Sequence, residues 1–353
     1  MAHDLLCKST VPVRPHKLAV LPVLCTLSVA LIGASGCNNH PIKSVYYESE
    51  QVCTEAVDVP IVRPEVVLVV DRSGSMSDNP LGDETRWEAL HGVISEVVSG
   101  QEASLQLGLT MFPAADAGTT WEQGACLAPT QLDVAVGADT GAAILGALPG
   151  PNAITQGGTP AAAAVQLAAD HLRARDTQDP KLLVLVTDGA ANCAADSADW
   201  QASLVYDEAL QDAVANASMD GITTHVVGIQ IDTELDAQAG VVPAEQLHEV
   251  AQLGGAGLDG EYAFYQVEDQ AMLSAALSSI TADISCTLEF GETVDTGREA
   301  LVVVGDEPVE QATDCATEDG WVYTADDTGI QLCGAACERF QAQGEIVFEY
   351  LCE

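Results

Sequence analysis

Along the chain, short uninterrupted apolar runs alternate with amphipathic, alanine-rich stretches. The runs EVVLVV (65–70), LQLGLTMF (105–112), LLVLVT (182–187), THVVGIQI (224–231) and YAFYQV (262–267) read as strands buried on both faces. Between and after them, helical periodicity covers 85–98, 160–175, 200–219, 244–253 and 269–284. Pro160, directly after Thr159, suits the first turn of a helix, where no intrahelical N–H bond is lost. Strands alternating with helices predict an α/β fold: a doubly wound, mostly parallel sheet flanked by helices and joined by right-handed crossovers. Such sheets gather ligands at the carboxyl ends of their strands, so chemistry is sought directly after each apolar run.

The texture changes past Cys286. Residues 286–353 carry five cysteines and little helical period; GWVYTADDTGIQLC (320–333) reads as two strands around an Asp-Thr-Gly turn, and GEIVFEYLC (344–352) as another strand. A small β module pinned by disulfides is expected there. At the other end, Lys8, Arg14 and Lys17 precede an uncharged apolar run, Leu18–Ala34, which closes on Ala34-Ser35-Gly36-Cys37. Pro22 within the run and small residues before a cysteine speak for a cleaved targeting segment over a transmembrane helix. Four segments result: a signal peptide at 1–36, a polar tether at 37–60, the α/β domain at 61–285 and the cysteine-rich module at 286–353.

Charge narrows the function. The 353 residues hold 53 Asp and Glu against 12 Lys and Arg, a formal net charge of −41, yet 48% are hydrophobic, enough to bury a core. Nucleic-acid affinity comes mostly from basic side chains displacing counterions, so a phosphate-backbone binder is excluded. Loss of the signal removes three basic residues and one acidic one, which takes the charge to −43. Cys7 and Cys25 leave with it. If Cys37 is taken by lipid, eight cysteines remain: Cys53, Cys126, Cys193, Cys286, Cys315, Cys333, Cys337 and Cys352. In an oxidising compartment an even eight predicts four disulfides. A zinc site at Cys333 and Cys337 is disfavoured, because no histidine follows His248.

The residues that carry chemistry stand where the sheet would place them. Asp71-Arg72-Ser73-Gly74-Ser75-Met76 follows the first run, Thr187-Asp188-Gly189 closes LLVLVT, and Gly157-Gly158-Thr159-Pro160 opens a helix. Asp71, Ser73, Ser75, Thr159 and Asp188 thus converge as oxygen donors, without His or Cys among them, and such a set suits a hard cation: Mg²⁺, Mn²⁺ or Ca²⁺. D-x-S-x-S, the later Thr and T-D-G, in this order, resemble a von Willebrand factor type A domain with a metal-ion-dependent adhesion site. The resemblance covers about residues 61–285. It implies that Ser73, Ser75 and Thr159 hold the metal through their hydroxyls, that Asp71 and Asp188 act largely through water, and that one coordination position stays open to an outside carboxylate. Mg²⁺ is the expected ion. Relatives of the integrin type place acids at the positions of Asp78 and Asn79 for a second ion; here the second is an amide, and a solvated acidic loop with Asp83 and Glu84 is expected instead.

The targeting segment also resembles a bacterial lipoprotein signal, with Ala34 where Leu is usual. That resemblance implies a lipid on Cys37 and, since Asn38 follows it, the outer membrane or cell surface. Enzyme readings find no support in the residues. No G-x-G-x-x-G or G-x-S-x-G occurs at the required place, Ser73 stands where a D-x-D phosphatase needs its second acid, and His91, His171, His225 and His248 are scattered. The expected protein is therefore not an enzyme. It is an envelope-anchored adhesion protein that grips an acidic side chain of a protein partner through its cation, the alternatives being a structural envelope protein with a stabilising metal or a metal-dependent hydrolase. Its own field repels an acidic partner beyond a Debye length of ~8 Å, so the partner's Asp or Glu should lie in a neutral or basic surface. Among the cysteines, only Cys126 and Cys193 lie inside the α/β core, both on loops expected at the site rim, so they are expected to pair; the other six allow fifteen connectivities.

Overall fold

The computed structural model describes residues 54–57 and 63–351, apart from 102, 103, 178, 291, 292, 316, 326 and 344. The signal segment, Cys37, Cys53 and Cys352 lie outside the described residues, and so do the expectations attached to them. Chain order begins with β1 (Thr54–Val57), β2 (Glu65–Asp71), α1 (Gly74–Asp78), a two-residue ladder of β3 (Pro80–Leu81) with β4 (Glu84–Thr85), α2 (Arg86–Gln101) and β5 (Gln106–Phe112). Then come β6 (Val134–Gly137), α3 (Gly141–Ala147), α4 (Ala161–Arg173), β7 (Lys181–Thr187), α5 (Ala209–Met219), β8 (Ile222–Ile229), α6 (Pro243–Leu253), β9 (Tyr265–Val267) and α7 (Gln270–Cys286).

These build one six-stranded sheet in the order β6-β5-β2-β7-β8-β9, parallel throughout except for β6, an antiparallel edge on β5. The reason lies in β2. All seven of its residues are buried, and side chains alternate across a strand. Val67 and Val69 face one layer, made by α4, α5 and α6. Val66, Leu68 and Val70 face the other, where Trp87, Leu90 and Ile94 of α2 meet Leu273, Leu277 and Ile280 of α7. Between its two charged ends, Glu65 and Asp71, a strand covered on both sides favours apolar residues throughout, which is why 66–70 reads as an unbroken apolar run.

Three expectations are corrected in detail, and the first is the strand expected over 262–267, which forms only at Tyr265–Val267. The helix expected over 200–219 starts only at Ala209; Asp199 Oδ1 accepts the Ala202 N–H at 2.9 Å and Asp207 Oδ1 accepts the Ala209 N–H at 3.2 Å. These local side-chain bonds compete with the helix ladder and hold 199–208 as a loop with a single 3-10 turn at Ala202–Leu204. The strand expected at 224–231 begins at Ile222 and ends at Ile229, before Gln230 with its positive φ of 48°.

The C-terminal region adds β10 (Thr287–Glu289), β11 (Ala300–Val304), β12 (Glu307–Val309), β13 (Gly320–Tyr323), β14 (Gly329–Cys333), α8 (Ala335–Gln343) and β15 (Ile346–Leu351). Its sheets, β1-β15-β11-β12 and β10-β14-β13, close around Trp321, Phe348, Phe290 and Phe340. Disulfides Cys286–Cys337 and Cys315–Cys333, with Cα separations of 5.5 and 4.9 Å, pin it to the end of α7 and close one loop. Neither Cys333 nor Cys337 is left as a zinc ligand. Residues 54–57, inside the stretch read from sequence as tether, form β1 and pair antiparallel with β15, Thr54 opposite Leu351. The α/β domain is thus inserted between two pieces of the β module.

The buried faces of β7 make a direct test. Leu185 is 0% exposed between α4 and α5, and Leu185→Ala should cost about 2–5 kcal/mol in urea unfolding of the mature protein. Leu235→Ala, at a side chain 66% exposed, should change stability by no more than about 0.5 kcal/mol.

Candidate functional site

At the carboxyl edge of the sheet, β2 ends in Asp71, and the chain leaves through Arg72-Ser73-Gly74-Ser75 into α1. Asp71 is 0% exposed. Its Oδ1 accepts the Ser73 N–H at 2.7 Å, and its Oδ2 accepts the Thr187 hydroxyl at 2.6 Å. Both oxygens are engaged beneath the loop, and they tie the end of β2 to the end of its neighbour β7. Above them, the Ser73 and Ser75 hydroxyls lie 3.0 Å apart, and Ser75 Oγ donates to Asp188 Oδ1 at 2.7 Å. The second Asp188 oxygen accepts Arg86 Nη1, also at 2.7 Å.

The Gly-Gly-Thr segment completes the group. The Gly74 N–H donates to the Gly157 carbonyl at 3.1 Å, joining the two loops. Gly157 has a φ of +96°, and a Cβ on Gly158 would stand 2.5 Å from the Cys193 sulfur and 2.9 Å from Asn192 Oδ1, so only glycine fits there. Thr159 is then fixed by its N–H to Asn192 Oδ1 at 2.7 Å. Cys126 and Cys193 are disulfide-bonded with Cα atoms 5.3 Å apart, bracing the loops on either side. Ser73, Ser75 and Thr159 all line one open cleft of about 670 Å³, while Asp71 and Asp188 lie behind it. All five residues singled out in the sequence therefore occupy one place. Asp78 and Asp83 are exposed, but the expected acidic loop is corrected: Asp78 closes α1, and Asp83 lies in the turn between β3 and β4.

Three contributors carry no motif. Thr155 donates its hydroxyl to the Ser73 carbonyl at 2.6 Å and exchanges bonds with Ser77. Asn192 positions Thr159. Arg86 is held by Gln230 Oε1 on its Nε at 3.0 Å and by Asp188 on Nη1. Only Arg86 left a trace in the sequence: a scarce basic residue at the first turn of α2 opposes the helix dipole, which favours anions there. Its partner outside the helix explains the exception.

The electrostatics leave the site short of positive charge. Burial, and then the neighbouring Asp188 carboxylate, push Asp71 up to about 7, and burial raises Asp188 against the pull of Arg86. Two buried acids share one guanidinium, and Ser73, Ser75 and Thr159 line the cleft in front of them. A divalent cation of the oxygen-seeking kind fits this donor set. Among the described residues no cluster of three or more His, Cys, Asp and Glu could hold a metal, so hydroxyls are indispensable to the fit.

The sign of the pH effect follows. An acid that keeps its proton up to about 7 when folded, but loses it near its ordinary 3.8 when unfolded, takes up a proton on folding between those values. In the absence of divalent cations, stability should therefore fall as pH rises from about 4 to 7. Chemical unfolding across that window should show the slope in the wild type and a shallower one in Asp71→Asn.

Comparison with known proteins agrees with this architecture. The von Willebrand factor type A domain model matches residues 65–279. Among solved structures, the pilus adhesin SpaC from Lactobacillus rhamnosus GG aligns with a TM-score of 0.49 and 17% identity, covering 84% of this chain and 40% of that one. BatB, a conserved hypothetical protein from Bacteroides thetaiotaomicron, aligns at 0.40 with 18% identity over 62% of this chain and 98% of its own. The PilB minor pilin from Streptococcus sanguinis aligns at 0.44 with 15% identity, over 64% and 61%. This chain thus spans well under half the length of SpaC. No curated protein is similar at a significant level. The matched region runs from the first residue of β2 into α7 and takes in the whole doubly wound sheet, and the chain belongs to the von Willebrand factor type A domain family.

Proposed function

We propose that this protein is a non-enzymatic adhesion protein of the bacterial envelope, built to hold a protein partner through a divalent cation at a metal-ion-dependent adhesion site. The observation that carries this reading is the open cleft that Ser73, Ser75 and Thr159 line together, backed by two buried acids that share a single arginine. Ser73, Ser75 and Thr159 would hold the ion directly, and Asp71 and Asp188 from behind through water. Bound Mg²⁺, Mn²⁺ or Ca²⁺ would supply a centre with a position open to an Asp or Glu carboxylate of the partner. The chain's own part is positional. Asp71 pins the Ser73 backbone, Asp188 orients the Ser75 hydroxyl, and neutral ligands leave the ion's charge largely uncancelled.

A non-catalytic role is supported by the cleft's lining, in which Glu122 is the one titratable side chain among the described residues. Histidines serve the fold: His248 Nδ1 accepts the Ala263 N–H at 2.9 Å, and His171 Nε2 accepts that of Val136 at 3.4 Å. The anchoring half of the proposal rests on the sequence around Cys37. Among the described residues, no helix is long and apolar enough to cross a membrane.

Calorimetry with Mg²⁺, Mn²⁺ and Ca²⁺ should give one site per mature chain, lost in a Ser73→Ala, Asp188→Ala double variant; equal binding by both would remove the assignment. Capture of a partner from native cell surfaces should depend on the metal and disappear with Asp71→Ala. For the anchor, a Cys37→Ser variant should leave the membrane fraction after mild washing, and continued membrane partition would contradict lipidation.

A further inference from the structure

The chain has four tryptophans. Trp87 and Trp321 are 0% and 1% exposed, one in the core beneath the sheet and one at the centre of the module. Trp121 and Trp200 are placed differently. Both line the cleft that Ser73, Ser75 and Thr159 open onto, and Trp200 is 50% exposed. They come from separate loops that the Cys126–Cys193 disulfide ties together. Each loop has its own bracing. The Gln123 and Ala125 N–H groups both bond the Thr120 carbonyl, at 3.0 and 2.9 Å; the Ser203 hydroxyl bonds the Trp200 carbonyl at 2.8 Å, and the Cys193 N–H bonds that of Ser203 at 2.8 Å. Indoles left partly in water on cross-linked, hydrogen-bonded loops forgo burial yet keep their place. They form a preorganised surface.

The charge of that surface has one sign. Glu122, exposed and next to Trp121 in the chain, lines the cleft, and among the described residues no basic side chain does. The arginines nearest the site are committed elsewhere, Arg72 Nε to the Pro113 carbonyl at 2.8 Å and Arg86 to Asp188 and Gln230. Indole faces beside a carboxylate are the chemistry that selects a guanidinium or ammonium group, through cation–π contact and an ion pair. An apolar side chain would use the indoles but leave Glu122 without a counterpart. The field of a chain with net charge −41 favours the approach of a basic surface as well.

We infer that the cleft lined by Trp121, Glu122 and Trp200 is a second subsite, which takes an arginine or lysine side chain lying within a few residues of the partner's acidic anchor. The inference rests on the proposed cation site: the acid reaches the ion while the neighbouring base enters the cleft, so the partner is read as a pair of opposite charges.

The test uses heptapeptides with one Glu and one Arg placed one to three positions to either side, and the same peptides with norleucine or Ala in place of Arg. They are titrated into the mature protein with and without Mg²⁺, followed by calorimetry and tryptophan emission. At least one Arg peptide should bind about tenfold more tightly than both counterparts and perturb the emission. That advantage should vanish in Trp121→Leu, Trp200→Leu and shrink in Glu122→Gln, which leaves both indoles in place, while Mg²⁺ affinity stays unchanged in both variants. Norleucine equal to or better than Arg, or an Arg advantage that survives these substitutions, would overturn the subsite. Mg²⁺-dependent binding without Arg preference defeats the subsite alone; binding indifferent to Mg²⁺, or by none of the peptides, defeats the cation reading beneath it as well.

Discussion

Two carboxylates buried at the ends of adjacent parallel strands, with one guanidinium paired to Asp188, constrain everything above the sheet. Asp71 is the last residue of β2, and Asp188 comes directly after β7. A buried carboxylate is costly unless its lone pairs are filled. Each available donor is therefore recruited: the Ser73 N–H and Thr187 hydroxyl by Asp71, the Ser75 hydroxyl and Arg86 by Asp188. Satisfying the acids in this way fixes the serine loop, and the glycine pair at 157–158 lets the Thr159 segment pack closely against Pro113, Ala125, Asn192 and Cys193. Residual negative charge remains, and it faces the hydroxyls.

How much of this the sequence displays depends on how local the cause is. β2, β5, β7 and β8 announce themselves because burial on both faces keeps most positions apolar, the buried exceptions being Glu65, Asp71, Thr110, Thr187, Thr224 and His225. β6 does not, since it is an edge strand with only Val136 fully buried, and four-residue β1 carries no pattern that would separate it from a tether. Residues 200–208 look helical by composition, yet Asp199 and Asp207 redirect the backbone through bonds that periodicity does not register. The site shows the same division. Asp71, Ser73, Ser75, Thr159 and Asp188 can be read because short motifs place them at strand ends. Thr155 and Asn192 cannot, because each contributes through one bond to a loop distant in sequence. The indoles of Trp121 and Trp200 gain their meaning only when the disulfide brings their loops to one rim.

The disposition of the module follows from the same topology. Cys286 closes α7 and belongs at once to the module's core, so the cross-link to Cys337 fastens α8 to the helix that covers one face of the sheet. The module lies against the end of α7, and the disulfide at the site rim is separate from it. The rim of the candidate site is braced from within the α/β domain by the Cys126–Cys193 bridge.

The position of β1 has a mechanical consequence. From Thr54 the chain runs through β1 into β2, and β2 ends in the loop that bears Ser73 and Ser75. A pull applied between β1 and the Ser73–Ser75 loop would therefore run along the central strand. Parallel ladders flank that strand on both sides, seven residue pairs with β5 and six with β7. Force along β2 loads those ladders in shear, so their hydrogen bonds share the load instead of opening one after another. The C-terminal module shares that line at its start, because β1 is a strand of its sheet and pairs with β15, Thr54 opposite Leu351.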